Sequence, residues 1–177
     1  MLIQTKPLPR VLTFGEAKYY IFSFVFTGLA VFTPWLTHQF HLAGQIFLPM
    51  HIFVLTAGFL FGWRAGLMVG VLSPLSSYLL TQMPVAALLP QVILELAVYG
   101  VVIGLSREKN LNVWVSLFSA MVLGRLARVL FISLFVPGLN ALQFISLSLP
   151  GIVLQIALIP LIIRLTREFI PEEDNAE

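Results

Sequence analysis

Apolar and polar positions along the chain sort into six long apolar segments, at about 18–37, 48–63, 65–82, 87–105, 112–136 and 150–167. A helix rises about 1.5 Å per residue and the hydrocarbon of a bilayer is about 30 Å thick, so roughly 20 such residues make one crossing. Turn and interface residues separate the segments. Pro49 opens the second, "GWRAG" parts the second from the third, and "QMP" follows the third. "SREKNLN" parts the fourth from the fifth, and "VPGLN" ends the fifth. The second segment is short for a full crossing, which implies little tilt or a start inside the loop. Pro74 and Pro160 fall inside segments and predict kinks. There is no internal repeat and no soluble segment. The predicted fold is an all-α integral membrane protein: residues 1–177 form one compact bundle of six transmembrane helices, with an acidic tail over 171–177.

Composition strengthens this reading. Of 177 residues, 59% are hydrophobic and 10% charged, and the mean hydropathy is +0.97. A soluble domain carries roughly 25% charged residues, so this chain has little with which to face water. The absence of cysteine removes disulfides, thiolate metal sites and thiol catalysis. The opening "MLIQTKPLPR" lacks a compact apolar core and a small-residue cleavage site, and no removable signal peptide is expected.

The net charge of +2 says less than where the charges sit. Lys6, Arg10 and Lys18 precede the first segment, Arg64 lies between the second and third, Arg107 and Lys109 between the fourth and fifth, and Arg164 and Arg167 close the sixth. The stretches 38–47, 83–86 and 137–149 contain no Lys or Arg. Basic loops stay cytoplasmic, so both termini are expected inside.

Arg125 and Arg128 are the exceptions, in the middle of "SAMVLGRLARVLFISLF". A guanidinium at the centre of a bilayer costs about 2.5–3.5 kcal/mol even on lenient scales, and intramembrane charges mark functional sites by default. With the orientation above, Arg128 lies about 12 Å below the outer end of its segment and Arg125 one turn deeper. Glu95, the one acid among the segments, lies about 8 Å below the outer end of its own. Glu95 and Arg128 are close enough in depth to pair, which leaves Arg125 without an acidic partner.

Gln91, Glu95 and Tyr99 repeat at i, i+4, i+8 and share one helix face. Ser73, Ser77 and Thr81 form a similar stripe on the third segment, where such hydroxyls usually bond back to their own helix. His51, Tyr78 and Gln155 lie near the outer ends of the second, third and sixth segments. The polar residues therefore collect in the outer half of the bundle. The candidate substrate contacts are Glu95, Arg128, Arg125, His51, Tyr99, Gln155 and Tyr78. A structural Glu–Arg tie between helices is the competing reading.

Small residues form a second pattern. Gly58/Gly62, Gly66/Gly70 and Gly100/Gly104 are spaced for close helix–helix approach. Gly100/Gly104 reads as internal packing, whereas Gly58, Gly62, Gly66 and Gly70 are candidates for a flat surface facing another membrane protein. No phosphate-binding loop GxxxxGK[ST], no HExxH, no GxSxG and no paired intramembrane carboxylates occur, so an enzyme is disfavoured. Neither a cofactor nor a metal ion is expected, nor a nucleic-acid partner.

From Leu48 to Leu105 the chain resembles the substrate-binding (S) subunits of the energy-coupling factor (ECF) transporters. The resemblance lies in "LPMHI", "AGFLFGWRAGLMVG", "SPLSSYLLTQMP" and "ELAVYG". It implies a six-helix subunit of a prokaryotic plasma membrane that captures a vitamin or related micronutrient from outside. Such a subunit docks on a transmembrane coupling protein driven by two ATPase subunits, and holds its ligand near the outer face with helices four to six and the outer loops. The family often carries AxxxA in the first span as a docking motif; here "FSFVFTGLAVF" has Ser23 and Thr27 at that spacing. On this reading the arginines neutralise a carboxylate or other anionic group of the ligand, because arginine stays protonated and grips such groups bidentately. A membrane scaffold without a small-molecule ligand, and a stand-alone carrier, are the rival classes.

Overall fold

The computed structural model describes residues 17–39, 48–136, 146 and 148–169. The acidic tail, with Lys6 and Arg10, lies outside them. Among the described residues there are six helices and no strand: α1 (Ala17–Gln39), α2 (Pro49–Phe61), α3 (Trp63–Thr81), α4 (Leu89–Glu108), α5 (Val113–Phe135) and α6 (Leu149–Phe169). Four of them, α1, α4, α5 and α6, are long and apolar enough to cross a membrane. At 13 residues, α2 spans about 20 Å and falls short of a full crossing by itself. Helix α3 has 19 residues, but Arg64 and its serines dilute its apolar character.

Local chemistry sets the helix ends. Pro49 and Pro90 stand in the first turns of α2 and α4, where a missing N–H costs nothing. Gly62 alone separates α2 from α3, at φ 94° and ψ 174°, a conformation essentially confined to glycine. Helix α4 ends where Asn110 turns left-handed at φ 56° and Leu111 N–H donates to the Ser106 carbonyl over 3.0 Å. Two residues later the Asn112 side chain caps α5, accepting from Trp114 N–H at 2.9 Å.

Helix α4 is the hub, packing along α3, α5 and α2. It runs antiparallel to α3, with Gly66 against Gly100 and Gly70 against Leu96. A Cβ on Gly70 would lie 2.6 Å from the Leu96 carbonyl oxygen, and one on Gly58 would lie 2.8 Å from that of Gly100. Three backbones therefore meet at Gly100. Gly104 sits against the backbone of Gly62 and Trp63 at the α2–α3 turn. Gly58, Gly66 and Gly70 are thus buried inside the bundle and Gly62 forms the turn, which corrects the expectation that these four present a docking surface. Without Cβ atoms, two helices in one chain can approach to backbone contact, and here they do.

Helix α1 lies antiparallel along α2. Phe22 stacks on Phe61 at 4.6 Å between centroids, and Phe26 meets Phe61 edge-on at 5.7 Å. Ser23 and Thr27 are buried on the inward side of α1, so they too leave the surface on which a docking motif would have to stand. The Tyr19 hydroxyl donates to the Arg64 carbonyl at 3.2 Å, and Trp63 N–H reaches Glu108 Oε1 at 3.4 Å. The start of α1, the α2–α3 turn and the end of α4 therefore share one end of the bundle, which also carries Arg64, Arg107 and Lys109. Helix α6 packs on α2 and more lightly on α5, burying the stripe Gly151, Gln155, Ile159 and Ile163. Large apolar side chains such as Phe24, Leu130, Leu134 and Val153 are exposed on the outside, as in helices that meet lipid.

Candidate functional site

The polar face of α4 looks at α5. Helices α4 and α5 are antiparallel with Tyr99 level with Gly124 and Glu95 level with Arg128. Gly124 makes room for the Tyr99 ring, which lies against the space its Cβ would fill. Gln91, Glu95 and Tyr99 are each 0% exposed.

Glu95 gathers the other charges. Arg128 NH1 donates to Glu95 Oε2 at 2.8 Å, and Tyr99 OH donates to Oε1 at 3.3 Å. Arg125 NH1 lies 3.1 Å from Oε1, and His51 Nε2 lies 3.7 Å from Oε2. The expected Glu95–Arg128 pair is present, but Arg125 does have an acidic partner. It shares Glu95, because a carboxylate has two oxygens and both arginines, three positions apart, project toward it. This contact corrects the expectation that Arg125 stands without an acid.

The two arginines differ in their bonding. At 3.1 Å Arg125 is close enough for attraction, yet its Nε, NH1 and NH2 have no aligned hydrogen-bond partner among the described residues. Arg125 is 9% exposed and Arg128 8%. The His51 ring meets Tyr99 edge-on at 5.3 Å, and neither ring nitrogen has a hydrogen-bond partner among the described residues. The side-chain amides of Gln91 and Gln155 are buried, with neither oxygen nor nitrogen partnered among the described residues. A buried polar group left unpaired costs about 1–3 kcal/mol, more when charged, so such a cluster requires a reason.

The structure thus brings five of the seven candidates named above, Glu95, Arg125, Arg128, His51 and Tyr99, into one contact set. Gln155 is buried on α6, which packs against the His51-bearing helix. Tyr78 is half-buried near the end of α3, with no hydrogen bond or ring contact to the cluster among the described residues. Ser73 and Thr81 bond back to the carbonyls of Val69 and Ser77 at 2.6 and 2.7 Å, which accounts for that stripe. Gln91 was not among the candidates, although its place in the Gln91–Glu95–Tyr99 repeat was the signal for it. Gly124 carried no sequence signal, since its partner is a ring on another helix.

A family model described as ECF transporter, substrate-specific component, matches residues 18–165. The chain belongs to that family. No curated protein and no solved structure matches it. As an ECF substrate-specific component it is a multi-pass membrane protein and a substrate-binding transport subunit rather than an enzyme. The family implies association with the membrane and ATPase subunits of an ECF module, and a small molecule as substrate.

Proposed function

We propose that this S component captures a vitamin or related micronutrient bearing an anionic group, at the Glu95–Arg125–Arg128–His51 cluster near the outer membrane face. The six helices form one membrane domain, in which the short α2 does not cross by its own length, with both termini cytoplasmic. The basic residues of the Gly62–Arg64 turn and the α4–α5 turn then face the cytoplasm, in keeping with the positive-inside rule. The captured molecule passes to the coupling subunit, whose two ATPase partners supply the energy. One observation carries the reading: two buried arginines share a single carboxylate. With His51 neutral the cluster holds a net charge of +1, and an anion entering the low-dielectric interior balances it.

The test is mass spectrometry of small molecules released on denaturing the detergent-purified chain, beside an Arg128→Ala control. An organic anion released by the unsubstituted protein and absent from the control is the expected result. If nothing is released, and thermal unfolding is unmoved by a panel of water-soluble vitamins, the reading that this cluster captures an anionic vitamin is wrong.

A further inference from the structure

We propose that the captured molecule is a monocarboxylate that also carries an amide-like edge, its carboxylate gripped by Arg125 and its edge read by Gln91, while Arg128 stays on Glu95 as a strut. This rests on the capture reading above and assigns the substrate's chemical class and the division of labour between the arginines.

The division follows from the bonding. Arg128 already donates an in-line hydrogen bond to Glu95 at 2.8 Å. Arg125 has only a 3.1 Å approach with no N–H in line, although the side chain is 11% exposed. A guanidinium has five N–H groups in a planar fork that matches a carboxylate bidentately. On Arg125 that fork is charged and buried, attracted to Glu95 at 3.1 Å but without an aligned hydrogen bond among the described residues.

Charge selects among anions. Arg125, Arg128 and Glu95 sum to +1 with His51 neutral. One carboxylate cancels this. A phosphate monoester, at about −1.5 to −2, would leave buried negative charge.

The neutral part of the ligand is read from the amides. Gln91 is fully buried, with both side-chain oxygen and nitrogen unpartnered among the described residues, one turn from Glu95 on the same face. The α4–α5 register sets it level with Ile132 of α5. A carboxamide offers a donor beside an acceptor, and its complement is an acceptor beside a donor: an amide, lactam, ureide or amino-heterocycle edge. Gln155 offers the same unpartnered pair from α6. Gln91 and Glu95 are four residues apart, so Gln91 stands about 6 Å nearer the outer end of α4 than Glu95, and the edge is read above the carboxylate.

The experiment compares small molecules released from the full chain and from its Arg125→Gln, Arg125→Lys and Gln91→Leu variants, each first checked for a monodisperse elution. The unsubstituted chain should release a species that gains one methyl group on esterification and is unchanged by phosphatase. Occupancy should fall by about 30-fold or more in Arg125→Gln, less in Arg125→Lys, which keeps the charge without the fork, and about tenfold in Gln91→Leu. A released species that is neutral or a phosphate ester overturns the inference and leaves capture standing, as does full occupancy in Arg125→Gln. Aggregation of both Arg125 variants makes that arginine a structural group and also overturns it. Release of nothing from the unsubstituted chain removes the capture reading, and this inference with it.

Discussion

The two faces of α4 solve opposite problems with the same helix. Toward α2 and α3 it presents Leu96, Gly100 and Gly104, and the neighbouring backbones close on it to van der Waals contact through Gly58, Gly66 and Gly70. Toward α5 it presents Gln91, Glu95 and Tyr99, all buried, and holds its neighbour through charge. The first face is closed by shape: small residues and backbone contact along Leu96, Gly100 and Gly104. The second is incomplete among the described residues, with one carboxylate for two arginines and amides that have no hydrogen-bond partner. Stability calls for the first kind of interface. An interface of the second kind costs stability, and in the function proposed above the ligand completes it.

The comparison breaks most sharply at Glu95. Glu95→Gln removes the counter-charge of two buried arginines and should cost about 3–5 kcal/mol, because a buried ion left unpaired is far worse than a pair never made. Thermal unfolding of the purified protein checks it, and an unchanged midpoint would show that charge does not hold α4 to α5. On the other face, Gly100→Ala places a methyl against the Gly66 backbone. Neither side can rotate away, so a loss of about 1–3 kcal/mol is expected, with lower yield of monodisperse protein. The smallest effect sharpens the contrast. Gly28 of α1 has nothing within 4 Å of a would-be Cβ, and Gly28→Ala should leave the midpoint unchanged or raise it by up to about 1 kcal/mol through helix propensity. A marked loss at Gly28 would mean that α1 packs more closely there than its geometry allows.

The helices were legible because hydrophobic segments of this length are rare outside membranes, and Pro49, Gly62 and Asn112 mark their ends through local chemistry. The Glu95–Arg128 pairing was legible too, from depth along antiparallel helices. Arg125 was not. Whether a second arginine reaches the same carboxylate depends on the rotation of α5 about its axis, and that rotation is set by the Tyr99 ring resting at Gly124. The glycines of α2 and α3 misled for a related reason. Spacing says that a helix face permits close approach but not which helix approaches, and α4 of the same chain takes that place.

Sequence alone therefore determined the apolar segments, their ends, and the gathering of rare polar residues in one half of the bundle, since these follow from the solvent and from local backbone preferences. Tertiary structure decided the partners. It turned the glycine stripes inward, drew Arg125 onto Glu95 and left the Gln91 and Gln155 amides unpaired among the described residues, because side-chain contacts depend on helix azimuth and register, which are properties of the packed bundle and of no segment within it.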